Sequence, residues 1–182
     1  SALIFNLNYF KSKLKPATKV MVMVKALAYG SGSTEVANVL QYHNVDYLGV
    51  AYADEGVELR KNNISTPVMV MNPTEEGFYA MINFNLEPEL YGLTILKAFI
   101  SFLNGRAWNI HIKIDTGMHR LGFDESDIPE LIQLLQTNPA IRVASIFTHL
   151  SGSDEARLDD FSRQQVKSFR QISALISSAI GY

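Results

Sequence analysis

Residues 20–32, VMVMVKALAYGSG, contain the pattern that decides the fold class. Five apolar residues, 20–24, lead directly into Lys25. An uninterrupted apolar run of this kind is typical of a strand that is covered on both faces. A charged amine at the end of a buried strand is costly. Removal from water also favours the neutral form of a lysine, which is the form that attacks carbonyl groups.

The residues after Lys25 predict a turn followed by a helix. Tyr29 and two glycines come first, and Ser33 or Thr34 could then cap the helix. This order of strand, amine, glycine-containing turn and helix N-terminus suits a lysine imine with a phosphate group held nearby. A purely structural interpretation stays open, in which Lys25 extends to solvent and the glycines only form the turn.

The composition is that of an ordinary soluble globular protein. The 182 residues are 47% hydrophobic and 19% charged, with a net charge of −2 and no cysteine. This charge offers no basis for binding nucleic acid or an anionic membrane. No apolar run reaches the roughly 18–20 residues of a membrane span. The absence of cysteine excludes disulfides and thiolate chemistry and fits a reducing interior, so we expect a cytoplasmic protein.

Strand and helix patterns alternate along the whole chain. Strands are predicted at 20–25, 45–51, 67–71, 86–91, 109–115 and 141–149, and helices at 6–14, 33–42, from an Asp54 cap to 61, 75–83, 94–103, 126–136 and 159–180. Strict alternation indicates a parallel sheet with crossover helices. The length of the units and their regular succession favour a TIM (β/α)8-type parallel barrel over an open sheet. Such a barrel needs eight units in about 250 residues, so we predict an α/β barrel truncated to about six β/α units.

The strand at 109–115 has one apolar and one polar face. Its three isoleucines fall on one side, and His111, Lys113 and Asp115 fall on the other. In a barrel the polar side points inward, where it must be paired or used. The alternative is a half-exposed strand whose polar face lies in water.

Two further candidates lie at carboxyl ends of strands, where barrels of this kind carry their active sites. Arg120 lies in the turn 115–122, DTGMHRLG, and offers a planar, permanently charged group for an oxygen anion. His149 ends the sixth strand. Either residue could instead be an ordinary structural one. The four histidines are scattered without ligand spacing, so no metal site is predicted.

Three segments together resemble the signatures of the alanine racemase family. Residues 25–32, KALAYGSG, are similar to the cofactor-lysine signature KANAYGHG of that family. Residues 113–122, KIDTGMHRLG, resemble its second signature, and residues 147–149, FTH, followed by Ser153 and Asp154, resemble its third. The three occur in family order and with family-like spacing over nearly the whole chain. The chain therefore resembles the N-terminal, PLP-binding barrel of these fold type III enzymes.

The resemblance implies an enzyme that uses pyridoxal 5'-phosphate (PLP) to interconvert L- and D-alanine. By position, Lys25 would hold PLP as an internal imine and act as one of two bases, and Tyr29 would touch the phosphate. Arg120 would lie against the cofactor ring, and His149 would stack near it. Lys113 matches a lysine that is often carbamylated in the family, and a carbamate there could hold Arg120 in place.

The chain also departs from the family pattern. Leu27 stands where Asn is usual, Ser31 where His is usual, and His119 where a small residue is frequent. The resemblance further implies a second base, a tyrosine on a C-terminal β-domain that is delivered across a homodimer interface. We expect residues 1–182 to be a partial barrel domain without that β-domain, and to lack racemase activity alone. The parent enzyme would supply D-alanine for peptidoglycan precursors.

Three alternatives remain at this point. A related PLP barrel, such as an amino acid decarboxylase or a non-catalytic PLP-binding protein, would keep the fold and the cofactor. The tripeptide 115–117, DTG, also occurs in aspartic proteases, although those need two close carboxylates and the α/β alternation argues against them. Finally, the chain could be a non-enzymatic folded fragment that self-associates through unpaired sheet edges.

Overall fold

A computed structural model describes residues 1–181 and confirms the predicted parallel architecture. Its six strands form one sheet in the order β1-β2-β3-β4-β5-β6, and every neighbouring pair is parallel. The strands are β1 (Met21–Met23), β2 (Tyr47–Val50), β3 (Val68–Val70), β4 (Glu87–Leu90), β5 (Trp108–Lys113) and β6 (Ile141–Phe147). Sequential order with parallel pairing requires a crossover after each strand, which is the arrangement of a (β/α) barrel.

Helices supply these crossovers and cover the outer face of the sheet. They are α1 (Ala2–Ser12), α2 (Lys25–Gly30), α3 (Ser33–Tyr42), α4 (Ala53–Lys61), α5 (Phe78–Asn83), α6 (Leu93–Leu103), α7 (Ile128–Thr137) and α8 (Asp159–Ile180). Short 3-10 turns precede α5, α7 and α8. Among residues 1–181, none of the helices is long and apolar enough to cross a bilayer.

The hydrophobic core lies between the sheet and these helices. Strand side chains of the outer face pack against helix side chains, and burying one such side chain contributes about 1.5–3 kcal/mol. Fully buried members are Leu48, Val50, Val68, Val70, Leu90, Ile110 and Ile112 from the strands, and Leu40, Leu59, Phe78, Leu96, Phe99 and Leu131 from the helices.

Two predicted helix caps are wrong in detail. Helix α3 begins after Gly32, and Ser33 is already its first residue. Helix α4 begins after Tyr52, so Asp54 lies inside the first turn instead of capping it. Glu55, in the first turn of α4, reaches back instead, and its carboxylate accepts a hydrogen bond of 3.4 Å from the N–H of Tyr52.

The sheet curls into a barrel wall, as contacts between strands that are not neighbours show. The hydroxyl of Tyr47 on β2 donates to Glu87 on β4 at 3.0 Å. The Tyr47 ring also lies edge-on to the His111 ring of β5, with centroids 5.3 Å apart. Side chains of β2 and β5 can meet only across a concave face, which is the interior of the barrel.

Candidate functional site

Lys25 lies just after β1, with only Val24 between them, and begins a turn of unusual handedness. The next four residues have left-handed backbone angles, with φ of 50° at Ala26, 53° at Leu27, 51° at Ala28 and 56° at Tyr29. A left-handed residue other than glycine costs roughly 1–2 kcal/mol. The sequence predicts a turn made by glycines, but the structure places the left-handed conformation on four residues with side chains. Tertiary contacts must therefore hold this turn.

One such contact comes from Glu55 at the start of α4. Its Oε1 accepts a hydrogen bond of 2.8 Å from the N–H of Ala26, and its Oε2 accepts one of 2.6 Å from the N–H of Ala51. A single carboxylate thus joins the turn after Lys25 to the loop after β2. The sequence analysis missed Glu55, because its partner in the turn is 29 residues away.

The residue before Lys25 is fixed from several sides. The N–H of Val24 donates to the carbonyl of Gly49 at 2.8 Å. The carbonyl of Val24 accepts the N–H of Ala28 at 3.0 Å and the hydroxyl of Ser33 at 2.9 Å. Val24 is fully buried, whereas Lys25 is half-buried. The prediction of a buried strand over 20–25 is wrong in detail, because β1 ends at Met23 and its residues are exposed or half-buried. The buried residue next to Lys25 is Val24, and its hydrogen bonds fix the backbone from which the Lys25 side chain extends.

The polar face of β5 points into the barrel, and the alternative of a half-exposed strand is wrong. His111 and Lys113 are 1% and 3% exposed. His111 Nε2 lies 2.9 Å from Glu87 Oε2, and its Nδ1 lies 2.7 Å from the hydroxyl of Ser145. Asn109 also donates to Glu87, at 2.9 Å. Burial alone raises the pKa of Glu87, but the hydrogen bonds from His111 and Asn109 outweigh it and hold that pKa below its usual value.

A second polar layer lies closer to the carboxyl ends of the strands. Lys113 Nζ is 3.0 Å from Oε1 of Glu89, and their side chains are 4% and 0% exposed. Burial raises the pKa of Glu89, while the charges of Lys113, Arg120 and Lys25 act in the opposite direction. The sequence analysis missed Glu89, although the alternation of Glu87 and Glu89 repeats the period-two polar pattern of β5.

The loop that carries Arg120 is closed at its base by backbone hydrogen bonds. The N–H of Phe123 donates to the carbonyl of Lys113 at 2.8 Å, and the N–H of Asp115 donates to the carbonyl of Phe123 at 3.1 Å. Inside the loop, Oδ1 of Asp115 accepts the N–H groups of Gly117 at 2.8 Å and of residue 119 at 3.1 Å. Burial raises the pKa of Asp115, but these hydrogen bonds together outweigh it and lower that pKa. This carboxylate therefore organises the loop.

Helix α8 ties this loop to the end of β6. Gln165 is fully buried, and its amide donates to the carbonyl of His149 at 3.1 Å and to the hydroxyl of Thr116 at 3.3 Å. Thr148 lies 2.8 Å from Thr116, hydroxyl to hydroxyl, and donates to the carbonyl of Ile114 at 2.8 Å. The loops after β5 and β6 are thus one connected unit, and Gln165 is a further residue that the sequence analysis missed.

Four of the five predicted site residues share one electrostatic environment. Partial removal from water, and then the charges of Arg120, Lys113 and Lys25, lower the pKa of His149, which favours its neutral form. The same three cations act on Glu89. Tyr29 is 69% exposed at the end of the left-handed turn. The structure therefore brings an amine, two further cations and a neutral imidazole to the same end of the barrel.

Comparison with known proteins shows the family to which this chain belongs. The profile described as "Alanine racemase, N-terminal domain" matches residues 1–180. The alanine racemase of Synechocystis sp. is 32% identical over 179 residues, which are 96% of this chain and 48% of that protein. The serine/alanine racemase of Enterococcus gallinarum is 35% identical over 179 residues, which are 94% of this chain and 24% of that protein.

A solved structure agrees with these relatives. The alanine racemase of Clostridium difficile 630 superposes with a TM-score of 0.90 at 34% identity, and the match covers 97% of this chain and 50% of that one. The chain thus spans about half the length of that protein and of the Synechocystis relative. With a parallel barrel wall and a family profile over residues 1–180, the chain belongs to the alanine racemase family and corresponds to its N-terminal domain.

Proposed function

We propose that this chain is the cofactor-binding barrel domain of a PLP-dependent racemase that acts on alanine. The observation that carries the proposal is the common electrostatic environment of Lys25, Lys113, Arg120 and His149 at the carboxyl ends of β1, β5 and β6. The two relatives above, an alanine racemase and a serine/alanine racemase, support the reaction class. They favour racemisation over the decarboxylase and carrier alternatives.

The chemistry of these side chains fits PLP, which is an anion with an aldehyde. A lysine amine reacts with an aldehyde, and Lys25 offers one on a fixed backbone. Arg120 and Lys113 bring positive charge to balance an anionic group. We assign the covalent link to Lys25, a phosphate contact to Tyr29, and ring contacts to Arg120 and His149. Bound PLP supplies the electron sink that acidifies the α-carbon of an amino acid.

The residues of the chain would then transfer the α-proton of the substrate. The amine of Lys25 would remove the α-proton from one face of the substrate, or return it there. Arg120 stays protonated and cannot take that proton, so it acts through charge alone. A neutral His149 adds no further positive charge next to the amine. Racemisation also requires a base on the opposite face, which we assign to a tyrosine of a C-terminal β-domain in a homodimer.

This assignment makes the whole protein the active unit. We propose that residues 1–182 form one partial-barrel domain and that turnover needs the additional length found in the relatives. The product would be D-alanine, made in the cytoplasm for peptidoglycan precursors. A racemase assay with L-alanine should therefore give no turnover with residues 1–182 alone and clear turnover with the whole protein. Turnover by residues 1–182 would contradict the proposal that the second base comes from a C-terminal β-domain.

Reduction with borohydride tests the cofactor assignment directly. The protein is incubated with PLP, its visible spectrum is recorded, and the reduced sample is digested and mapped by mass spectrometry. We expect a visible absorption band and a pyridoxyl group on the peptide that contains Lys25. The matched controls are Lys25→Ala, which should lose both signals, and Lys61→Ala, which removes a lysine from the exposed surface of α4 and should keep them. A pyridoxyl group elsewhere, or no band in the whole protein, would reject the proposal.

A further inference from the structure

We propose that Glu89 is the buried anion of this site and that it keeps Lys113 as an uncarbamylated ammonium group. Glu89 is then a positioning residue, which holds the ammonium group of Lys113 in the barrel interior. The inference rests on the proposed function for the identity of the cofactor. The ion pair itself stands on the structure alone.

The register of the sheet places the two groups side by side. Glu89 on β4 pairs with His111 on β5, and Leu90 pairs with Ile112. Lys113 lies two residues beyond His111, so Glu89 and Lys113 are on the same concave face of the sheet. Their side chains are 0% and 4% exposed, and Nζ lies 3.0 Å from Oε1. A charge buried to this extent is tolerated only with a partner of opposite sign.

A second contact indicates that Lys113 is positively charged. Its Nζ lies over the ring of Phe147, 5.9 Å from the ring centroid. The face of an aromatic ring attracts a cation and repels an anion. Both neighbours of the amine, the carboxylate of Glu89 and the ring of Phe147, thus favour an ammonium group.

Carbamylation would reverse this charge. The neutral amine attacks carbon dioxide, a nitrogen–carbon bond forms, and two protons leave the ammonium group in total, so that one positive charge becomes one negative charge. The new carboxylate would lie next to that of Glu89 in the barrel interior. Two like charges at such a distance, away from water, disfavour each other strongly. Glu89 opposes the reaction a second time, because it stabilises the protonated amine that cannot attack.

The carboxylate of Glu89 also interacts electrostatically with two further cations, Arg120 and Lys25. Neither of its carboxylate oxygens has a partner in hydrogen-bond geometry among the described residues, although Oε1 lies close to Lys113.

Carbon-13 NMR of the protein without PLP, equilibrated with 13C-bicarbonate, tests the inference. We expect no protein carbamate resonance in the unmodified chain. Glu89→Val removes the anion and should produce a carbamate resonance, which the double variant with Lys113→Arg should abolish. Glu87→Gln, in the neighbouring polar layer, is the matched control and should show no such resonance. Should Glu89→Val fail to fold, the isosteric Glu89→Gln replaces it.

Two outcomes overturn the inference. One is a carbamate on Lys113 in the unmodified chain, which can be read even when neither variant folds. The other is a folded Glu89 variant without a carbamate, since Glu89 would then not be the group that prevents it. The borohydride experiment separates this inference from the proposed function. A normal PLP adduct on Lys25 with a failed NMR test rejects only the role of Glu89, and the reverse result rejects only the cofactor assignment.

Discussion

The carboxylate of Glu55 accepts a hydrogen bond of 2.8 Å from the backbone N–H of Ala26, the residue next to Lys25. Its second oxygen accepts the N–H of Ala51 at 2.6 Å. These bonds connect the left-handed turn to the loop after β2. Because that turn is intrinsically unfavourable, the position of the Lys25 amine depends on a side chain that has no direct part in the proposed chemistry.

Substitution of Glu55 should therefore disturb Lys25 at a distance. Glu55→Ala leaves the N–H groups of Ala26 and Ala51 without their acceptor, which should lower the free energy of unfolding by about 1–3 kcal/mol. Urea unfolding measures this loss, and mass mapping after borohydride reduction should show a smaller modified fraction at Lys25. Glu58→Ala, at an exposed position of the same helix, is the control and should change stability by less than about 0.5 kcal/mol. Equal stability of the two variants would rule out this role for Glu55.

The left-handed turn also predicts a stabilising substitution. Leu27 has a φ of 53° and is 63% exposed, so its side chain gains little from packing. Asn adopts this conformation more readily than Leu, so Leu27→Asn should stabilise the fold by up to about 1 kcal/mol. The control is Leu175→Asn, at a similarly exposed (57%) position of the right-handed helix α8, which should be slightly destabilising. A shift of the urea midpoint in the same direction for both variants would contradict the explanation.

Gly122 closes the loop that carries Arg120, and it should not tolerate a side chain. Its φ is +141°, and a Cβ atom there would collide with the backbone of Asp115 and lie 2.8 Å from the carbonyl carbon of Ile114. Gly122→Ala should therefore destabilise the protein by about 2–3 kcal/mol or displace the loop. Gly77→Ala is the control, because φ is −82° there and the nearest atom would be 3.4 Å away. Thermal unfolding of both variants decides the matter, and similar midpoints would refute the prediction.

Gln165 should matter for stability although it lies on a helix remote from the strand ends in sequence. Gln165→Ala removes a fully buried amide that joins the carbonyl of His149 to the hydroxyl of Thr116, and the Thr116 hydroxyl keeps only its contact with Thr148. We expect a loss of about 1–2 kcal/mol in the free energy of unfolding. Gln164→Ala, at the exposed neighbouring position, should be nearly neutral. A neutral effect of Gln165→Ala would show that other contacts hold the two loops together.

The pKa of His149 gives a prediction about pH. Reduced contact with water and the charges of Arg120, Lys113 and Lys25 lower it from the ordinary 6.5. At a pH between the lowered pKa of the folded chain and 6.5, the unfolded chain binds more protons than the folded one. The contribution of His149 to stability is therefore present above pH 6.5 and is lost as the pH falls through the pKa of the folded chain. NMR titration of the imidazole should show the low pKa.

Arg120→Ala tests the electrostatic part of this shift. The variant should raise the pKa of His149 toward 6.5, because one of the three cations is removed. Arg157→Ala, which removes an exposed arginine that pairs with Glu155, should leave the titration unchanged. Identical curves for the two variants would mean that the charge of Arg120 does not contribute to the lowered pKa of His149.

The repeating parts of the fold could be predicted because short-range patterns encode them. Apolar runs indicated β1 and β3, and α3 and α8 occupy their predicted residues, 33–42 and 159–180. The period-two pattern of β5 placed His111 and Lys113 inside the barrel, where both are buried. Since the carboxyl ends of parallel strands meet at one end of a barrel, the chain order alone also brought Lys25, Arg120 and His149 together.

What surrounds these residues was decided only by the tertiary structure. The pairing of Glu89 with Lys113 follows from the register between β4 and β5, and Gln165 meets His149 only because α8 packs across the loops. The left-handed turn after Lys25 runs against the local preference of its residues, so nothing near it in the sequence could predict it. The physical reason is the same in each case. Local patterns record which face of an element is apolar, whereas the partner of a buried polar group depends on the curvature and register of the folded sheet.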